Sequence, residues 1–118
     1  MFSRPDAKTW IKLVTALFIL KILKTKAAHG NRIAAEIKRI TCDAVQPNPN
    51  FLYPLLRHLE EGGYVEGYWE NPATRSKRVY TITPCGCAYL ATLKNTARAK
   101  MLELERRHKA IRDYIFAD

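Results

Sequence analysis

A chain of 118 residues is long enough to bury one hydrophobic core without disulfide staples and too short for two ordinary domains, so one folded unit is expected. Lys and Arg total 20 against 11 Asp and Glu, a formal net charge of +9, which favours polyanionic partners such as nucleic acid or an anionic membrane surface. The three cysteines are odd in number and lack framework spacing, which excludes a disulfide-built secreted scaffold and suits a reducing cytoplasm.

The first predicted element is a long helix from Lys8 to Lys26, with Trp10, Leu13, Val14, Leu17, Phe18 and Ile22 recurring at three and four residues. Its longest uncharged run, Leu13 to Leu20, is far shorter than the roughly 20 residues that span a bilayer, and no small-residue cleavage site follows it. Neither a membrane helix nor a signal peptide is expected. The apolar surface wraps most of the way round, so the helix needs more than one partner: its own domain and a second subunit. From Arg4 to Arg39 there are nine basic residues and two acidic ones, Asp6 and Glu36, which predicts a positive N-terminal surface.

Gly30 breaks the pattern, and a second helix is expected from Asn31 to about Thr41, with Ile33, Ile37 and Ile40 inward and Arg32, Lys38 and Arg39 outward. Cys42 to Asn50, with Asp43, Pro47, Asn48 and Pro49, reads as a turn or short loop. A third helix runs to Glu61 and stops at Gly62-Gly63. Pro54 is tolerated only in a first turn, which places the start near Asn50 or Phe51. At about 100° per residue, Leu52, Leu55, Leu56 and Leu59 share one side while Asn50, Tyr53 and Arg57 share the other.

Tyr64 to Glu70 and Lys77 to Thr83 read as strands joined by the loop Asn71 to Ser76. Thr83-Pro84 supplies an N-cap followed by proline at the first helical position, and Gly86 is expected to weaken that first turn only slightly. The last helix runs nearly to the chain end. Its stripe of Leu90, Leu93, Ala97, Met101, Leu104, Ile111 and Ile115 resembles a coiled-coil seam with one stutter, and a helix of about thirty residues cannot bury it against a monomer this small. Dimerisation is the inference, with Leu13, Leu17, Leu93, Ala97, Met101, Leu104, Ile111 and Ile115 as candidate interface residues; folding back on the first helix is the alternative.

The polar face of the third helix carries the chemistry. Asn50, Tyr53 and Arg57 are residue types that hydrogen-bond base edges or phosphates, and Asn48 either joins them or caps the helix. Arg32 contributes from the second helix. Arg75, Lys77 and Arg78 form a positive hairpin loop, with no acidic residue between Asn71 and Tyr80, suited to the sugar-phosphate backbone. Cys85 and Cys87 lie two apart at a helix start, miss the common Cys-x2-Cys zinc spacing and read as buried or half-buried free thiols. His29, His58 and His108 are scattered, and no catalytic spacing, metal site or cofactor is indicated.

With these residues in place, the chain resembles the PadR-like winged-helix transcriptional regulators. The resemblance rests on His29-Gly30, Leu52-Tyr53-Pro54-Leu55-Leu56, Leu59-Glu60-Glu61-Gly62-Gly63-Tyr64-Val65, Trp69-Glu70, the basic wing into Val79-Tyr80, and Ile82-Thr83 with Gly86, spanning about Leu13 to Leu93. It implies a homodimer whose third helices enter successive major grooves of a pseudo-palindromic operator in double-stranded DNA, with first and last helices forming the interface. It also implies repression, often relieved by a small-molecule effector, and a DNA-contacting role for Tyr53. Asn50-Phe51 stands where the family usually has Gly-Thr or Gly-Ser, so the hydroxyl those relatives offer to a phosphate is missing. The short last helix matches the compact branch.

The expected architecture is mainly α: three helices, a two-stranded β wing and a long C-terminal helix. Residues 1–83 would form the winged helix-turn-helix DNA-binding part and 84–118 the dimerisation helix, within one structural unit. The expected function is that of a dimeric, sequence-specific, cytoplasmic DNA-binding regulator, a repressor rather than an enzyme. Two other readings stay open: a sequence-tolerant architectural or protein-interaction module, and a thiol or metal sensor on the same scaffold.

Overall fold

In the computed structural model, residues 7–75 and 77–118 are described. Ser76, the last residue of the expected wing loop, lies outside them. The element order is α1 (Ala7–Thr25), β1 (Ala28–His29), α2 (Gly30–Ile40), α3 (Pro49–Glu61), β2 (Val65–Trp69), β3 (Arg78–Ile82) and α4 (Pro84–Ile115). The expected helices and wing strands are present. The sheet, however, has three strands rather than two, in the antiparallel order β1-β3-β2, because Ala28 and His29 pair with Tyr80 and Val79.

The core forms where one face of each helix meets that sheet. Ile19 and Leu20 of α1, Ile33 and Ile37 of α2, Leu52, Leu56 and Leu59 of α3, Val65 of β2 and Leu90 of α4 are fully buried in one cluster. Burying each such side chain stabilises the fold by roughly 1.5–3 kcal/mol relative to water. Thr15, the buried polar residue of α1, donates its hydroxyl to the Ile11 carbonyl at 2.7 Å, so it enters the core satisfied. Ile40, expected inward, is 46% exposed. It sits in the last turn of α2, where the helix has already passed the edge of the core.

Residue choice at the element ends fixes their directions. Asn48 caps α3, its side-chain oxygen accepting the Phe51 N–H at 3.1 Å, and Pro49 fills the first helical position. The helix therefore starts one residue earlier than expected, and Pro54 lies in its second turn. Having no N–H, Pro54 leaves the Asn50 carbonyl without its helical donor. At the other end, the Tyr64 N–H reaches the Leu59 carbonyl at 2.9 Å and the Gly63 N–H the Glu60 carbonyl at 3.0 Å, a Schellman closure around Gly63 at φ +78°.

That closure is welded to the start of α4. Thr83 is the N-cap: its hydroxyl accepts the Gly86 N–H at 3.0 Å and donates to the Gly63 carbonyl at 2.6 Å. Gly86 is more than a mild weakness in the first turn. A Cβ built there would lie 2.0 Å from the Tyr64 carbonyl oxygen and 2.7 Å from Ile82, so only glycine lets α4 sit on the turn that ends α3. Tyr64 and Tyr89 stack beside it, ring centroids 4.0 Å apart.

α4 packs along α1 through Leu90, Leu93 and Ala97 and then leaves the body of the molecule, which is elongated, 67 × 27 × 23 Å. Beyond Ala97 its large apolar residues Met101, Leu102, Ile111 and Ile115 are exposed. Exposed ion pairs one turn apart, Lys109 with Asp113 at 2.6 Å and Arg107 with Glu103, support the projecting segment locally.

In an ordinary helix interior Gly→Ala stabilises by up to about 1 kcal/mol. At position 86 the clash is with backbone, so Gly86→Ala is expected to destabilise by about 2–3 kcal/mol. Urea unfolding measures this, and an increase in midpoint would show that α4 can shift without cost.

Candidate nucleic-acid interface

The exposed face of α3 is bounded by its own packing. Leu52, Leu55, Leu56 and Leu59 are buried, which turns Asn50 and Arg57 to solvent. Tyr53, from the same polar face, is half-buried. Its hydroxyl donates to Asn31 Oδ1 at 3.3 Å and its ring covers Gly30, where a Cβ would come within 2.7 Å of it. Tyr53 thus braces α3 against the first turn of α2, and Gly30 is required by that close approach. Asn48 has its side-chain oxygen engaged in capping.

In the wing, the Asn71 carbonyl accepts the Arg75 N–H at 2.8 Å, and the Asn71 side chain accepts the Ala73 N–H at 3.1 Å, closing a tight turn. Arg75 sits in this turn at φ +50°, exposed, a conformation that orients its side chain at a backbone cost of order 1 kcal/mol. The Glu70 N–H donates to the Lys77 carbonyl at 2.8 Å, extending the β2–β3 ladder and leaving the Lys77 side chain exposed.

Arg78, expected as a third wing cation, is held inward. Its guanidinium donates to Glu60 Oε2 at 2.6 Å and lies over the Trp69 ring at 5.1 Å and near the Tyr80 ring at 6.0 Å. Both side chains of the ion pair are about one-third exposed or less, so screening is incomplete and the pair ties the wing to α3. Gly67 makes room for it, since a Cβ there would lie 2.7 Å from Arg78 Nε and 2.9 Å from Glu60 Oε1. Burial raises the Tyr80 phenol above its ordinary pKa despite the neighbouring Arg78 guanidinium.

These elements enclose a groove of about 480 Å³ lined by Gly30, Arg32, Tyr53, Trp69, Lys77 and Arg78. Four of the sequence-predicted DNA-contact residues, Arg32, Tyr53, Lys77 and Arg78, therefore share one concavity between α2, α3 and the wing. Asn48, Asn50, Arg57 and Arg75 do not line it. Sequence reasoning missed Asn31, Glu60 and Trp69 as the groups that position its walls, and also His29, whose Nε2 lies 3.3 Å from Glu70 Oε2.

The candidate dimer residues divide. Leu13, Leu93 and Ala97 are buried in the chain's own core and Leu17 is half-buried. Met101, Ile111 and Ile115 are exposed on the projecting part of α4, with Leu104 intermediate. Cys85 and Cys87, expected buried or half-buried, are exposed free thiols in the solvent-facing first turn of α4, and Cys42, in the turn after α2, is exposed as well. Among the described residues no group of three or more His, Cys, Asp or Glu is placed to hold a metal ion, and no helix is long and apolar enough to cross a membrane.

Comparison with known proteins agrees with this geometry. Similar solved structures include a transcriptional regulator from Clostridium thermocellum, 24% identical over 92% of this chain and 99% of that one, with a TM-score of 0.63. Another is smu.1704 from Streptococcus mutans UA159, 23% identical over 91% and 94% of the two chains, with a TM-score of 0.68. A third is a PadR family transcription regulator from Clostridium difficile R20291, 19% identical over 78% and 95%, with a TM-score of 0.63. At these identities the likeness establishes the winged-helix fold. No curated protein matches the chain. The model of the transcriptional regulator PadR-like family matches residues 19–92, more than half of the sequence. The chain belongs to the PadR-like family of transcriptional regulators.

Proposed function

We propose that this regulator is a homodimeric repressor that reads a pseudo-palindromic operator in double-stranded DNA. The observation that carries the reading is the shared groove: the first turn of α2, the first half of α3 and the wing open onto one concavity rimmed by Arg32 and Lys77. Arg32 and Lys77, with Arg75 at the wing turn, neutralise backbone phosphates, which supplies affinity without sequence information. Arg57 and Asn50, exposed on α3, are the groups free to meet base edges, guanine by a bidentate arginine and adenine by asparagine. Tyr53 and Arg78 hold the reading helix and wing in register for those contacts.

Residues 1–83 carry the DNA contacts and residues 84–118 the subunit contact, within one structural unit. With Leu13, Leu93 and Ala97 already committed to the core, the subunit contact falls to Met101, Leu104, Ile111 and Ile115, joined by Leu17. An exposed apolar row of this length on a soluble helix is stable when a second copy covers it. Two reading helices then address half-sites one helical turn apart, about 34–36 Å. Release from the operator is driven by a small-molecule effector, and the site of action is the cytoplasm.

Arg57→Ala is expected to cost about 1–3 kcal/mol on the operator and little on random duplex, collapsing the discrimination between them. Arg75→Ala or Lys77→Ala is expected to weaken both duplexes alike and to lower the slope of log affinity against log salt by about one. Fluorescence-anisotropy titrations across a salt series, on an operator recovered by selection from random DNA, distinguish the two behaviours; equal losses from all three substitutions would abolish the division of labour. Replacing both Ile111 and Ile115 by Glu is expected to give a folded monomer in sedimentation velocity, and a wild type that sediments as a monomer at tens of micromolar would overturn the dimer.

A further inference from the structure

The exposed face of α3 carries an apolar group between its two polar ones. At about 100° per residue, Asn50, Pro54 and Arg57 fall within about 60° of one another, on the side opposite Leu52, Leu55, Leu56 and Leu59, and all three are exposed. We infer that the Pro54 ring meets the 5-methyl group of a thymine in the major groove, which makes Pro54 a specificity-determining residue. The inference rests on the operator reading proposed above and adds to it a contact that neither Asn50 nor Arg57 can make.

The fold gives proline no other task at this position. The core takes Leu52, Leu55, Leu56 and Leu59 from α3 and leaves Pro54 in water. Entry into the helix is already fixed by the Asn48 cap and by Pro49 at the first helical position. One turn further on, Pro54 removes the N–H that the Asn50 carbonyl would accept, a cost to the helix that alanine would not carry. Its neighbour Tyr53 is turned aside to brace Gly30 and Asn31, so the ring of Pro54 stands clear on the face. A residue that breaks a local rule at an exposed position is expected where function requires it.

The chemistry of the ring limits what it can meet. It has neither donor nor acceptor, and so forms no hydrogen bond to a phosphate or a base edge. The apolar feature that distinguishes base pairs in the major groove is the thymine methyl, and apolar side chains contact it. The ring is rigid, so covering the methyl costs no rotamer freedom. Along the helix axis Pro54 lies about 6 Å beyond Asn50 and about 4.5 Å before Arg57, one to two base-pair steps of about 3.4 Å. The three side chains can therefore address neighbouring base pairs of one half-site. Asn50 and Arg57 supply hydrogen bonds for adenine and guanine, and thymine is left to Pro54.

The test exchanges single thymines for uracils in an operator recovered by selection from random DNA. The exchange removes the methyl and leaves every hydrogen-bonding group in place. Fluorescence-anisotropy titrations with the full chain should show the wild type losing about fourfold at one thymine in each half-site, the ratio that one buried methyl group produces. Pro54→Ala and Pro54→Ser restore the helical N–H. Both should bind the thymine operator about fourfold more weakly than the wild type and no longer distinguish it from the uracil operator. Their urea midpoints should equal or exceed the wild-type value. A wild type indifferent to every exchange, or an operator whose half-sites hold no thymine, overturns the contact while the operator reading stands. A uracil penalty that persists undiminished in both variants also overturns it, because Pro54 would then act on the helix and not on the base. Variants that lose the penalty only as they lose stability assign Pro54 to the fold and overturn it too. A chain that selects no sequence at all removes the operator reading, and the contact with it.

Discussion

The hydroxyl of Thr83 joins three parts of the molecule that have to be rigid relative to one another. It accepts the Gly86 N–H in the first turn of α4 and donates to the carbonyl of Gly63 in the turn that closes α3, while the Thr83 N–H donates to the Tyr64 carbonyl at 3.1 Å. Gly86 lets the helix settle directly on that carbonyl, and the Tyr64–Tyr89 stack closes the side. The end of α3, the first residue before the wing and the root of the projecting arm are therefore one knot of hydrogen bonds and backbone contact. In the proposed dimer the separation of the two reading helices follows from the angle at this knot and from where the arms meet. Neither quantity is left to a flexible linker, so in that proposed dimer the half-site spacing is set by the fold.

The basic residues of the wing show how one residue type takes two roles according to its neighbours. Arg78 follows Lys77 directly, yet its guanidinium is drawn over Trp69 and into Glu60, with the Gly67 backbone beneath. Arginine suits this position because a planar, weakly hydrated cation can lie near aromatic rings and still donate to a carboxylate. Lys77 and Arg75 have no such surroundings and stand exposed in the wing. The inward arginine ties the strand that carries it to α3, so in the proposed complex the affinity of the wing and its placement come from adjacent residues.

The sequence revealed what depends on local periodicity and capping. All four helices follow from their apolar spacing, and Thr83-Pro84 marks the start of α4 because a cap and a first-turn proline are short-range signals. What was illegible depends on partners distant in sequence. β1 is two residues long, too short for any period, and exists only because β3 offers it an edge. The inward course of Arg78 depends on Glu60, 18 residues earlier. Gly86 reads as a small propensity cost until the Tyr64 carbonyl is placed against it. Ile40 continues the stripe of Ile33 and Ile37, but periodicity does not say where the core ends. Of the candidate interface, Arg32, Tyr53, Lys77 and Arg78 come together as residues of one groove, although two of the four serve as braces.

The two grooves beside α2 are separated by a strand of two residues. β1 contributes only the pairs Ala28–Tyr80 and His29–Val79 to the sheet, and the His29–Glu70 contact at its end is largely exposed. Segments with so few buried contacts open at low free energy, and they are where two sites on a small domain can communicate without disturbing the core. Ile33 and Ile37 anchor α2 in the core below its first turn, so the body of that helix does not depend on the short strand beside it.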